Sequence, residues 1–347
     1  MFNVSVAPHL RSQNTTKSVM ADVAIALLPI IAFGIYHFGL PALTVTVLCV
    51  VSSVLFELLF ELLTKKPITI FDNSALVTGR ILAVNLPASV PWYIPVLGSA
   101  FAIIIVKMLF GGLGQNFMNP ALAARCFLLI SFAGKMSDFA MYKVYSATPS
   151  ELFKGGKIKD FLTMLAGKDL TSVDAVAGAT PLAQLADGKE LDLASLFLGF
   201  HGGTIGEVSA LAILVGAAYL LIKKVISVKI PFSYIISTVA FIAIIRLIKG
   251  DTVSASYLLS EALSGGLLVG AFFMATDYVT SPITPKGQIL YGIILGFVTA
   301  MFRIVGSSAE GVSYAIIICN LLVPMIEKYT VPNAFGVVKT KPEKEAK

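Results

Sequence analysis

ALTVTVLCVVSSVLFELLFELL, residues 42–63, decides the class of fold. As a helix rising about 1.5 Å per residue it would be about 33 Å long, enough to cross the roughly 30 Å hydrocarbon core of a bilayer. No water satisfies backbone groups at that depth, so a run this apolar has to close its hydrogen bonds internally, as a helix does. Two carboxylates interrupt it. Glu57 and Glu61 lie four residues apart and therefore on one helix face, and acids within a membrane span are costly enough to mark a partner or a pathway.

Further apolar runs long enough to span occur near 19–40, 93–111, 207–223, 230–248, 260–276, 288–304 and 312–328. Two shorter runs, near 74–88 and 118–133, are interrupted or bounded by proline and glycine. The expected fold is an all-α polytopic membrane protein of about ten transmembrane helices, five on each side of a polar loop over 134–206. An odd number before the loop makes the second half enter from the opposite face, which predicts two inverted five-helix repeats with broken half-helices and one external loop. The echo between residues 76–83 (LVTGRILA) and residues 263–270 (LSGGLLVG) agrees with a repeat, although any two membrane segments share some likeness. The expected organisation is a cytoplasmic segment 1–18, a first repeat 19–133, the loop 134–206, a second repeat 207–328 and a cytoplasmic tail 329–347.

Of the 347 residues, 56% are hydrophobic and only 13% charged, far from soluble averages. The net charge of +6 comes from lysines in short inter-helix segments and tails, not on one amphipathic face, which speaks against nucleic acid. Lys65 and Lys66 follow the second run, and Lys223, Lys224 and Lys229 the sixth. By the positive-inside rule both termini are then cytoplasmic and the loop external. Residues 1–18 lack the pattern of a cleaved signal peptide, so the first span is expected to direct insertion. Cys49, Cys126 and Cys319 each lie within apolar sequence without CxxC spacing and read as small core residues, leaving no metal site for this chain to complete alone.

Asp22, Glu57, Glu61, Lys107, Arg125, Glu261, Asp277 and Arg303 lie in or at the edges of the runs. Glu57 and Asp277 stand out, the first for its apolar surroundings and the second for following GAFFMAT at 270–276 directly. The stretch FGGLGQNFMNP, residues 110–120, reads as a broken helix: glycines allow unusual dihedrals, and Asn119 followed by Pro120 offers an N-cap and a first-turn proline. A helix N-terminus there would face a polar or anionic group, unless the break is merely structural. Within the loop, Asp174-Ala-Val-Ala-Gly-Ala-Thr180-Pro-Leu182 sets a hydroxyl beside two small residues, with Pro181 stiffening the chain beyond it. Alone it is an ordinary turn.

Several segments recur in a fixed order: Pro8-His-Leu-Arg11, Asp72 to Gly79 leading to Asn85-Leu-Pro87, Gly111 to Asn116 with Asn119-Pro-Ala121, Gly178-Ala-Thr-Pro-Leu182, Gly206-Glu-Val-Ser209, Ala275-Thr-Asp277 with Thr280 to Thr284, and Glu310-Gly311. The set resembles the family of the D subunit of the Rnf ion-translocating electron-transport complex and is similar to the B subunit of the sodium-pumping NADH:quinone oxidoreductase, over roughly residues 5–335. The resemblance implies a covalent FMN esterified to Thr180, with Asp174, Gly178, Ala179 and Pro181 completing the motif. Ala177 departs from the serine or threonine usual there. It further implies a non-covalent riboflavin, for which Gly112, Asn116 and Asn119 are the candidate contacts, and ion coupling through Glu57 and Asp277.

On that resemblance the chain is a redox subunit of a bacterial inner-membrane complex, with its flavin loop on the outer side. It would couple electron transfer between reduced ferredoxin and NAD to Na+ or H+ translocation. Its partners would be a second FMN-carrying subunit, iron–sulfur subunits, a flavin transferase for maturation and membrane lipid. A secondary transporter without redox role, or a structural scaffold, would show the same span pattern, and Thr180 separates them.

Overall fold

The computed structural model describes residues 15–142, 175–177, 180–186, 191–199, 201–250, 253–306 and 311–332. Asp174, Gly178 and Ala179 of the threonine motif lie outside the described residues, as do Pro8 to Arg11 and Glu310. The first half comprises α1 (Thr16–Ala26), α2 (Leu28–Phe38), α3 (Leu40–Thr64), a 3-10 turn (Ile70–Asp72), α4 (Ser74–Val84), α5 (Tyr93–Ala100) running on as a π-helix (Phe101–Met108), α6 (Pro120–Ser131) and α7 (Ala133–Met136). The expected cap at Asn119 is formed: its Oδ1 accepts from the Ala121 and Leu122 amides, with Pro120 in the first turn.

Two three-residue strands, β1 (Ala140–Tyr142) and β2 (Ala175–Ala177), pair antiparallel with Ala140 opposite Ala177. They add a small ribbon that the all-helical expectation lacked. Short helices α8 (Pro181–Ala186) and α9 (Leu193–Leu198) follow. The second half holds α10 (Ala210–Ile222), α11 (Lys229–Lys249), α12 (Ala255–Leu263), α13 (Leu267–Val269) continuing as a π-helix (Gly270–Met274), α14 (Pro285–Val305) and α15 (Val312–Thr330).

Among the described residues, five helices or continuous pairs are long and apolar enough to cross a membrane: Thr16–Phe38, α3, α11, α14 and α15. The pair Ala255–Leu263 and Leu267–Met274, bent by 60°, makes a sixth if taken as one span. The other four expected spans are shorter apolar helices, Ser74–Val84, Tyr93–Met108, Pro120–Ser131 and Ala210–Ile222. The fold is that of a polytopic helical membrane protein, with up to six full-length spans among the described residues. Local sequence explains part of the shortening: α4 stops at Val84, before Asn85-Leu-Pro87, and the glycine break at 111–114 limits α5 and delays α6.

Lateral packing relies on small residues. Gly292 and Gly296 of α14 face Ser233 and Ser237 of α11, and a Cβ at either glycine would fall 1.9 Å from a serine Oγ. Close backbone approach of this kind drives helix association where lipid is as apolar as leucine. The three cysteines are buried in the helical core.

The loop does not remain outside the helical body to its end. Ile205 and Gly206 donate to the carbonyls of Leu86 (3.0 Å) and Val84 (2.8 Å), satisfying acceptors that the end of α4 leaves open. Residues 204–209 are buried there, and a Cβ on Gly206 would lie 1.8 Å from Val84 Cγ1. Gly206→Ala is therefore expected to lower stability by about 1–3 kcal/mol through overpacking, read as a reduced melting temperature of the purified protein in detergent.

Candidate functional site

Glu57 and Glu61 share a buried face of α3, exposed by 0% and 1%. Opposite stands Lys107 on the π-helical end of α5, whose ammonium donates to both Glu57 carboxylate oxygens at 2.8 Å and to Ser74 Oγ at 2.6 Å. Widened π turns are frequent at functional sites because they reorient a side chain within a continuing helix. Ser74 in turn donates to Asp72 Oδ1. The Thr69 hydroxyl donates to Glu57 Oε1 (3.3 Å) and also to Glu61 Oε1, which receives the Thr69 amide as well (3.0 Å). The result is a connected polar chain from Glu61 through Thr69, Glu57, Lys107 and Ser74 to Asp72.

Lys107 and Ser74 also line an open cleft. Asn116, Asn119, Thr276 and Asp277 supply further polar lining, while Val23, Phe272 and Phe273 belong to its apolar wall. Asp277 directly follows the second π-helical stretch and its turn, and accepts from the Thr280 hydroxyl at 3.2 Å. The two expected coupling acids thus approach the same space by different routes, Asp277 in its lining and Glu57 through Lys107.

The candidate flavin contacts divide. Asn119 spends its carbonyl oxygen capping α6, which leaves its amino group for the cleft. Asn116 spends its amino group on the Met118 carbonyl (3.0 Å), which leaves its oxygen. One donor and one acceptor therefore remain, the complement an amide-like flavin edge needs. Gly112 is not in the lining. It donates to the Lys107 carbonyl (3.0 Å) in the turn that follows the π-helix, at φ +102°.

Thr180 stands at the start of α8, three residues beyond the ribbon, and its Oγ1 accepts from the Ala183 amide at 3.3 Å. That bond uses a lone pair of the oxygen. An ester at this oxygen would leave that bond in place. Pro181 is buried behind it, and Leu182 and Leu185 anchor the helix. Leu182 packs against Gly265, the first of two left-handed glycines that bend α12 into α13. The helix bearing Thr180 therefore rests on the break of the bent span, away from the residues lining the cleft.

Two buried ion networks were missed as networks, although most of their members were noted singly. Arg125 on α6 donates to Asn85 Oδ1 (2.9 Å) and Ser313 Oγ (3.1 Å) and pairs with Glu207 (3.4 Å). Glu207 also sits against Gly266, where a Cβ would meet its Oε1 at 2.5 Å. Arg303 pairs with Glu261 (2.8 Å) and donates to the carbonyls of Glu261 and Ser264, while Tyr257 donates to the same carboxylate. Opposite charges left over in different apolar runs were the available signal, because each needs a partner.

A family model described as the NQR2, RnfD, RnfE family matches residues 3–336. Among curated relatives, the D subunit of the Na(+)-translocating ferredoxin:NAD(+) oxidoreductase complex of Acetobacterium woodii is 45% identical, covering 99% of this chain and 98% of the relative. The proton-translocating counterpart of Clostridium ljungdahlii is 36% identical, with 97% and 96% covered. The D subunit of an ion-translocating oxidoreductase complex of Stutzerimonas stutzeri is 37% identical over 93% of each chain.

Removing one member of a dry ion pair strands the other as an unpaired charge. Lys107→Met should accordingly cost about 3–5 kcal/mol. Adding Glu57→Gln to it should restore much of the loss, as thermal unfolding of the two variants in detergent would show.

Proposed function

We infer that the chain, which belongs to the NQR2, RnfD, RnfE family, is the membrane-embedded D subunit of an Rnf-type ion-translocating ferredoxin:NAD(+) oxidoreductase complex. The observation that carries this is the near full-length match, 45% identical to one such protein with 99% of this chain aligned.

Within that role Thr180 anchors FMN as a phosphoester, supported by the oxygen's geometry described above. The cleft beside Lys107 and Asp277 would hold riboflavin, supported by the spare donor and acceptor of Asn119 and Asn116. When bound, these flavins supply the electron-transfer chemistry. The chain's own residues fix position and charge: Thr180 tethers, the apolar wall excludes water, and Asp277 and Glu57 hold cations near the redox centre. Related subunits are named for sodium in one organism and protons in another, so the translocated ion follows from details finer than the fold.

The four short apolar helices complete ten membrane segments as two inverted five-helix repeats. In that arrangement the Thr180 loop is on the outer side of a bacterial inner membrane. Electrons enter and leave through iron–sulfur and second FMN-carrying subunits, and a flavin transferase loads Thr180.

A denaturing gel of the complex from cells containing the transferase should show flavin fluorescence on this chain, lost in Thr180→Ala. A dark wild-type band would defeat the flavin assignment and leave a transporter. Asp277→Asn is expected to keep the fluorescent band while lowering ion uptake into vesicles at least several-fold. Wild-type uptake would remove Asp277 from the coupling path.

A further inference from the structure

Glu61 is buried to 1% exposure, and its two carboxylate oxygens are treated unequally. Oε1 accepts from the Thr69 amide and hydroxyl, whereas Oε2 is buried without a hydrogen-bond partner among the described residues. A bare carboxylate oxygen in a dry site is costly enough that the group is neutralised or takes up a cation. The charges around it do not supply one. Glu57 on the same helix face and Asp72 on the 3-10 turn are acidic, and Lys107 from α5 places its ammonium on Glu57 and Ser74. Lys65 and Lys66, just beyond the end of that helix, are exposed.

We propose that Glu61 is a cation-exchange site: its Oε2 takes one small monovalent cation, a proton or a sodium ion, at the lysine-marked end of α3. The Thr69 hydroxyl, shared between Glu61 and Glu57, makes the two carboxylates one unit. With Glu61 occupied, Lys107 balances Glu57 alone. With Glu61 empty, the same ammonium faces two negative carboxylates and is drawn more firmly to them, away from the cleft it lines. Occupancy of Glu61 thereby sets how much of the Lys107 charge the cleft feels. This last step rests on the cleft as a redox site, whereas the cation site itself does not.

Dicyclohexylcarbodiimide is an apolar reagent that modifies buried carboxyl groups in their protonated form, and α3 offers it exposed Leu59, Leu62 and Leu63 as an approach from lipid. The intact complex is treated in choline chloride or in sodium chloride of equal ionic strength, and peptides are read by mass spectrometry. Glu61 is expected to be modified in choline. Several-fold protection by sodium identifies sodium as the occupant, and equal labelling in both salts identifies the proton. An unmodified Glu61 in choline overturns the proposal.

Glu61→Gln should abolish ion uptake into vesicles while the flavin fluorescence of Thr180 persists, and uptake at the wild-type rate would equally overturn it. Should that variant fail to assemble, Thr69→Val removes the shared hydroxyl at nearly constant shape. It should change Glu61 labelling several-fold, and unchanged labelling would count against the site. A dark Thr180 band would refute the flavin assignment while leaving the labelling result intact.

Discussion

The Arg125 guanidinium holds the two halves of the molecule to one another. Its donors reach Asn85 beyond α4, Ser313 near the start of α15 and Glu207 in the buried end of the loop. A guanidinium cannot shed its proton and must be met by acceptors wherever it is buried. Four chain segments are therefore tied to a single planar group. The segment carrying Glu207 is fixed a second time, by the amides of Ile205 and Gly206 on the end of α4. That double attachment brings a loop that began as polar linker into the helical body, and it sets Glu207 against Gly266 at the bend of α12 and α13.

The remaining buried charges follow the same logic in separate places. Glu57 with Lys107 belongs to the first half, and Glu261 with Arg303 to the second. Such pairs return little net stability, because desolvation offsets most of the attraction, but they penalise any arrangement that separates the partners. They act as positional locks. The cleft lies where this rigidity is interrupted, between the glycine break before α6 and the end of the second π-helical stretch, with Asn119 on one side and Asp277 on the other.

The membrane class and the cap at Asn119 were legible in the sequence because both depend on local chemistry: a run of apolar residues, or an asparagine before a proline. The count of full spans was not. Length along an apolar run overstates helix length wherever a segment such as Asn85-Leu-Pro87 or a glycine cluster ends the helix early. Glu57 and Asp277 could be singled out as costly charges, but their relation through Lys107 and a common cleft depends on contacts 50 residues apart and more. Gly112 was singled out because glycine permits close approach and unusual dihedrals, and it uses the second at φ +102° in the turn beyond the π-helix. Glu207 was passed over as a charge, although its motif was recognised and it opens the run 207–223.

The sequence separation within the Arg125 cluster also bears on biogenesis. Arg125 and Glu207 are 82 residues apart, and Ser313 lies 188 beyond Arg125. A chain emerging from the ribosome thus delivers a buried cation to the bilayer long before its carboxylate is synthesised, and α6 cannot settle until the rest of the polypeptide arrives. The first half is by construction an unfinished insertion product, an early target for quality-control proteases if translation stops. Thr180 falls within that interval in chain order, after the cation and before its counter-charge.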